Sequence, residues 1–250
     1  MSKPETNNII YGIHTCTAQL NHDKTNITKV YVKKSHKSKQ VHNIIQNLND
    51  LSIEVIETTK DYLTMICLSS KHQGIVFEIR NITETYDLDH YLQTISKPFI
   101  AIFDNIQDPR NLGSLIRTSN GAGVNLVIKK KSGSCDISPL VHKTASGGLQ
   151  GIGLIETNNL TEIIKKIKNH NIMVVGTSDS ASLSIYDMKP IVSGVAIIFG
   201  SEGAGISKSL SHLCDSVYSI PIHGSIECLN VAVAAGIVLY HTQQMLKNSK

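Results

Sequence analysis

Residues 99–123 read FIAIFDNIQDPRNLGSLIRTSNGAG, and the fold turns on how this stretch is parsed. The opening FIAIF is an apolar, β-rich run of the kind buried inside a parallel sheet. Asp108 and Pro109 then make a turn, and Asn111 is placed to cap a helix. Leu112, Leu115 and Ile116 form that helix's apolar stripe at i, i+3 and i+4. The loop between strand and helix therefore lies at the carboxyl end of a strand, where open α/β sheets bind ligands.

The stretch also holds two of the chain's three arginines, Arg80, Arg110 and Arg117, against 21 lysines. Lysine is the default cation here, so each arginine invites a specific reason. At about 100° per residue Arg117 points away from the Leu112 stripe, and its i±3 and i±4 neighbours are Gly113, Ser114, Asn120 and Gly121. A guanidinium among small residues is open to a flat or charged ligand, and its five fixed donors suit phosphate or a developing oxyanion. A surface arginine on an amphipathic helix is the plainer alternative.

Downstream, NLVI, GIGLI, IMVVG, VAIIFG and VYSIPI repeat the strand pattern, separated by helical spacing at 160–170 and a long run from Leu229. Such alternation predicts a parallel sheet covered by helices on both faces. Upstream, residues 9–80 alternate short helices and strands, which reads as a small α/β unit. Residues 81–97 have weak periodicity and end before Pro98, so the expected domains are 1–80 and 98–250, joined by a linker or spacer helix at 81–97.

Composition narrows the class. With 41% hydrophobic residues in 250 and a net charge of +4, the chain is expected to be a folded cytoplasmic protein. The opening MSKPETNN is too polar for a secretory signal, and no apolar run reaches the roughly 18 residues of a membrane span. Cys16, Cys67, Cys135, Cys214 and Cys228 are scattered, and neither they nor the histidines show ligand spacing, so no disulfide framework and no metal is expected. KKSHKSK at 33–39 and KKK at 129–131 are compact basic runs, either solvated loops or phosphate contacts.

Two further segments carry chemistry. VAIIFGSEGAGIS at 195–207 sets a glycine loop directly after a buried strand, so backbone N–H groups can approach a ligand. Gly200, Gly203 and Gly205 fit neither the dinucleotide fingerprint nor the P-loop. Glu202 within the loop is either solvated or an arginine's partner. In SIPIHGSIECLNVAVAAGIVLYH at 219–241, the helix is apolar or small on every face from Leu229 to Leu239. Such a helix must be covered on all sides, and the simplest cover is a second subunit, which predicts a homodimer.

Taken in order, these three segments resemble the SpoU (TrmH-type) branch of the SPOUT RNA methyltransferases. The signatures are N-x-x-x-x-x-R-T at Asn111 to Thr118, G-x-E-x-x-G at Gly200 to Gly205, and L-N-V-(S/A)-x-A at Leu229 to Ala234. YGIH at 11–14 and HQGIV at 72–76 are similar to that family's RNA-binding accessory domain, so the resemblance spans nearly the whole chain. It is nearest to the members that methylate the 2'-hydroxyl of a guanosine in 23S rRNA.

The resemblance implies an α/β chain with a ribosomal-protein L30e-like N-terminal domain and a C-terminal parallel-sheet domain tied in a trefoil knot. It implies S-adenosylmethionine as cofactor, held at Thr177, Gly200, Ile220 and Leu229, and RNA as partner, with 23S rRNA the expected one. Arg117 stands at the family's catalytic arginine, with Asn111, Glu202 and Asn230 at positions that order it and the substrate. Cys228 departs from the usual serine before L-N-V, exchanging a hydroxyl for a weak S–H donor. Two other readings stay open: the same chemistry on tRNA or on a drug-resistance rRNA site, and a silent RNA-binding member of the fold.

Overall fold

A computed structural model describes residues 9–48, 53–80, 87–201, 203 and 205–248. Glu202 lies outside the described residues. The chain forms two compact units, and each is built around its own sheet.

The first unit takes residues 1–83 and, from later in the chain, 137–151. Its elements run β1 (Ile9–Tyr11), α1 (Ile13–His22), β2 (Ile27–Lys33), α2 (Lys39–Leu48), β3 (Glu54–Thr58), α3 (Lys60–Cys67) and β4 (Ile75–Ile79). The strand order is β1-β4-β2-β3, with β2 parallel to β3 and antiparallel to β4. Successive residues of β1 and β4 feed opposite faces, as period-two geometry requires. Ile10 and Phe77 join Cys16, Leu20, Val41 and Ile44 on one face, and Ile9 and Val76 join Leu63 and Ile66 on the other. The α/β alternation matches the sequence pattern except for β1, whose three residues are too short to show a period.

The second unit takes residues 84–136 and 152–250. It begins with α4 (Leu88–Thr94), β5 (Phe99–Phe103), α5 (Pro109–Gly121) and β6 (Leu126–Lys130). The chain then gives α6 (Pro139–Ala145) to the first unit and resumes with β7 (Gly153–Thr157), α7 (Leu160–Asn169) and β8 (Met173–Thr177). It closes with β9 (Leu183–Ser184), β10 (Val195–Phe199), α8 (Lys208–Ser211), β11 (Ser216–Ser219) and α9 (Val231–Asn248). The seven-stranded sheet runs β7-β6-β5-β10-β8-β11-β9, and every pairing in it is parallel. Strands β5 and β10 are buried at every residue, which is why they read as unbroken apolar runs.

Within the segment expected as a linker or spacer helix, residues 88–94 are a helix whose Leu88 and Leu92 enter the second unit's core. Two expectations change. Residues 137–151 belong by contact to the first unit, although the sequence places them in the second half. The cap of α5 is Asp108, whose carboxylate accepts from Arg110 N at 2.7 Å; Pro109 takes the first helical position, where its missing N–H costs nothing, and Asn111 lies inside the first turn.

Helix α9 buries Ala235, Val238, Leu239 and Thr242 within the chain but leaves Val233 and Tyr240 53% and 56% exposed. Its apolar circumference is thus covered on one side only. Among the described residues, no helix is long and apolar enough to cross a membrane.

Candidate active site

Parallel strands deliver their carboxyl ends to one edge of the sheet, and the lining of a cavity of about 350 Å³ begins there. Thr177 ends β8 and Ser178 and Asp179 follow it, Phe199 ends β10 and Gly200 and Ser201 follow it, and Tyr218 and Ile220 come from β11 and the turn after it. The chain then returns with Leu229, Asn230 and Val231 at the start of α9. Four of the residues singled out from the sequence, Thr177, Gly200, Ile220 and Leu229, therefore line one cavity, together with Asn230 and Cys228.

Gly200 is sterically required. A Cβ there would lie 2.0 Å from the carbonyl carbon and oxygen of Gly205, because the loop folds straight back over it. Ser201 and Gly205 clasp each other, with Ser201 N donating to Gly205 O at 3.1 Å and Gly205 N to Ser201 O at 2.9 Å. Gly203 and Gly205 have φ of 82° and 64°, left-handed values that an L side chain adopts only with strain. The result is a compact turn whose backbone forms one wall of the cavity.

The lining is mostly apolar or neutral. Thr177 Oγ1 donates to Ile198 O at 2.9 Å, which fixes the rotor and leaves its lone pairs free to accept. Among the described lining residues Asp179 carries the one formal charge. Sequence reading passed over Asp179, although it stands just past a strand's carboxyl end, the same signal that singled out the β5–α5 loop.

A second cavity of about 280 Å³ adjoins the first, sharing Ser201 and Val231. Asn105, Ile106, Gln107, Asp108 and Asn111 form its other walls. Asn230 binds both places: its Nδ2 donates to Asn111 Oδ1 at 3.2 Å, and its Oδ1 accepts from Ala232 N at 2.9 Å at the start of α9.

Arg117 lines neither cavity. It is exposed on α5, opposite the buried Leu112, Leu115 and Ile116, as the helical spacing predicts. Its neighbours Thr118 and Gly121 meet α9 beside Gly236 and Tyr240, so Arg117 borders the uncovered side of α9.

One basic run is corrected. Lys129, inside the KKK run, is 0% exposed and pairs with Glu156 at 2.7 Å, because β6 turns that side chain into the protein. In the first unit His72 is buried, its Nδ1 accepting from Gly74 N at 3.0 Å, so it shapes the turn before β4. Lys33, Lys34, Lys37 and Lys39 are exposed, as a solvated or phosphate-facing run requires.

A parallel sheet edge with a glycine-walled, nearly uncharged cavity and a polar pocket alongside has the form of a small-molecule site in an α/β protein. Residues 98–240 match the SpoU rRNA Methylase family, and residues 9–85 match the RNA 2'-O ribose methyltransferase substrate-binding family. A Haemophilus ducreyi protein named 23S rRNA (guanosine-2'-O-)-methyltransferase RlmB is 34% identical, over 92% of this chain and 95% of the relative. Its Yersinia pestis namesake is 31% identical over 93% and 95%. The chain belongs to the SpoU methylase family. Among solved structures, the SpoU methyltransferase AviRb from Streptomyces viridochromogenes, crystallised with AdoMet, superposes with a TM-score of 0.81 at 21% identity, over 96% of this chain and 90% of that one.

Proposed function

We propose that this protein transfers a methyl group from S-adenosylmethionine to the 2'-hydroxyl of a guanosine ribose in 23S rRNA. The observation that carries the reading is the relatedness to proteins named for that reaction across more than nine-tenths of both chains. The cavity fits the cofactor: backbone and apolar walls suit an adenosine, and a lining whose only charge among the described residues is Asp179 suits a sulfonium cation. When bound, S-adenosylmethionine supplies an electrophilic methyl group.

The chain's own residues have to align a ribose oxygen with that methyl and steady the charge it gains. In this reading Arg117 does the second task. A guanidinium stays protonated at accessible pH, so it stabilises the alkoxide while the hydroxyl proton leaves to phosphate or water. Asn111 and Asn230 order the polar cavity in which the ribose sits, Glu202 acts with them, and Thr177, Gly200, Ile220 and Leu229 hold the cofactor.

The reading includes a homodimer. An uncovered α9 face with Val233 and Tyr240 exposed supports it, and so does Arg117, which borders that face and lines neither of the two cavities. A partner packed there would offer Arg117 a cavity to serve. The reading also includes the trefoil knot, rare among folds; the return of Leu229 to Val231 to the cavity after β11 supports it. The exposed lysines at 33–39 give the first unit its RNA contact, with affinity from phosphates and sequence choice from unpaired bases.

The deciding experiment maps 2'-O-methyl groups on a mixture of 23S rRNA and tRNA incubated with the purified protein and labelled cofactor. One new guanosine site, in 23S rRNA, is expected. Labelling confined to tRNA, or none at all, would overturn the assignment.

A further inference from the structure

Asp104 is the first residue after β5, is 1% exposed, and lines neither cavity. Its Oδ2 accepts from Ser207 N at 3.2 Å. Its Oδ1 is fully buried with no hydrogen bond among the described residues, and the nearest cation, Lys130 Nζ, stands 3.8 Å away. A buried carboxylate so sparsely compensated is costly to keep.

What that carboxylate holds is the exit of the glycine turn. The two hydrogen bonds between Ser201 and Gly205 close the turn on itself, so its attitude is set at its ends. The entrance is fixed at Gly200 by contact with Gly205. At the exit, Ile206 packs against Gly176, an apolar contact without direction, and Ser207 N points at Asp104. Asp104 also continues the sheet, its own N donating to Phe199 O at 2.9 Å. The next residue, Asn105, opens the segment that walls the second cavity.

We propose that Asp104 is a positioning residue for methyl transfer: one buried carboxylate ties the glycine turn, at the Ser207 N–H, to the end of β5, and so fixes the wall shared by the two cavities. The inference rests on the cofactor reading of the first cavity.

Ser207→Pro is the sharpest test, because it deletes the N–H and, besides it, only a hydroxyl in an exposed pair with Ser209 Oγ at 3.3 Å. Ser207 has φ −62°, the value proline imposes, and its side chain makes no capping bond to α8. Binding of S-adenosylhomocysteine is measured by calorimetry on the full-length protein, with thermal melting and RNA affinity alongside. Ser207→Pro and Asp104→Ala are each expected to weaken S-adenosylhomocysteine at least tenfold, to leave RNA affinity unchanged, and to be no worse together than apart. Asp104→Asn keeps an oxygen for the same N–H and is expected within about threefold of wild type. In turnover, the KM for S-adenosylmethionine should rise more than kcat falls. Should Asp104→Ala fail to fold, Ser207→Pro and Asp104→Asn decide. Wild-type affinity in Ser207→Pro, or Asp104→Asn as weak as the other variants, would overturn the inference alone. Absence of binding by the wild type would instead bring down the cofactor reading beneath it.

Discussion

Asn230 Nδ2 donates to Asn111 Oδ1 at 3.2 Å, joining the start of α9 to the first turn of α5 across 119 residues of sequence. The same amide caps α9 through Ala232 N. Asn230→Ala removes both bonds and should cost about 1 kcal/mol of stability, as a lost cap does. Asn230→Ser keeps a capping oxygen but cannot reach Asn111. It should melt near the wild type yet lose at least about tenfold in methyl transfer, the equivalent of one hydrogen bond of roughly 1.4 kcal/mol. Melting curves and initial rates on the two variants separate cap from link.

Arg117 is exposed and off the apolar stripe, so Arg117→Ala should leave the fold intact. Turnover is expected to fall on the order of 10² to 10³, the cost typical of one lost oxyanion donor. Single-turnover transfer of labelled methyl to rRNA measures it. If Arg117 serves a partner's cavity, mixing this variant with a cavity-blocked one should restore part of the rate. A variant turning over like the wild type would remove Arg117 from the chemistry.

Gly200→Ala places a methyl 2.0 Å from the Gly205 backbone, so the turn itself has to move. Overpacking of this kind destabilises by about 1–3 kcal/mol. Because the displaced atoms are a cavity wall, S-adenosylhomocysteine affinity should drop by on the order of 10² or more. Calorimetry alongside melting checks both numbers.

Lys129 and Glu156 form an ion pair with the ammonium fully buried and the carboxylate 30% exposed. Lys129→Met removes the buried charge and leaves a carboxylate that water can reach, so stability should change by no more than about 1 kcal/mol. Glu156→Ala strands the ammonium and should cost about 3 kcal/mol or more. RNA affinity should be unchanged in Lys129→Met and weaker, with a flatter salt dependence, when Lys34 and Lys37 are neutralised. Denaturant melts and filter binding at two salt concentrations test the pair of claims.

Burial in the first unit depresses the His142 imidazole from 6.5 to about 4. An unfolded chain binds that proton below about 6.5 and the folded one only below about 4, so stability falls as pH drops through this window. The contribution lost is at most roughly 3 to 4 kcal/mol, from about 1.36 kcal/mol for each pH unit between those limits. His142→Gln should flatten the melting-temperature profile between those limits relative to wild type; parallel profiles would contradict it.

Much of the molecule was legible in the chain because its signals are local. Unbroken apolar runs such as FIAIF and VAIIF announce strands buried on both faces, and Leu112, Leu115 and Ile116 announce the face of α5. Gly200 and its neighbours announce a turn where only backbone fits. Each depends on a residue's own neighbourhood of a few positions, so periodicity and glycine placement suffice.

What the tertiary structure alone decided depends on burial and on long-range pairing. Lys129 and Lys33 are the same residue type in similar basic runs, yet a strand turns one into the core and leaves the other in water. Nothing near residues 137–151 tells that they pack with the first unit, and nothing near Asp104 tells that its carboxylate awaits Ser207. Local preference fixes which elements form, but a side chain's surroundings are supplied by residues a hundred positions away, and only the folded chain brings them within reach.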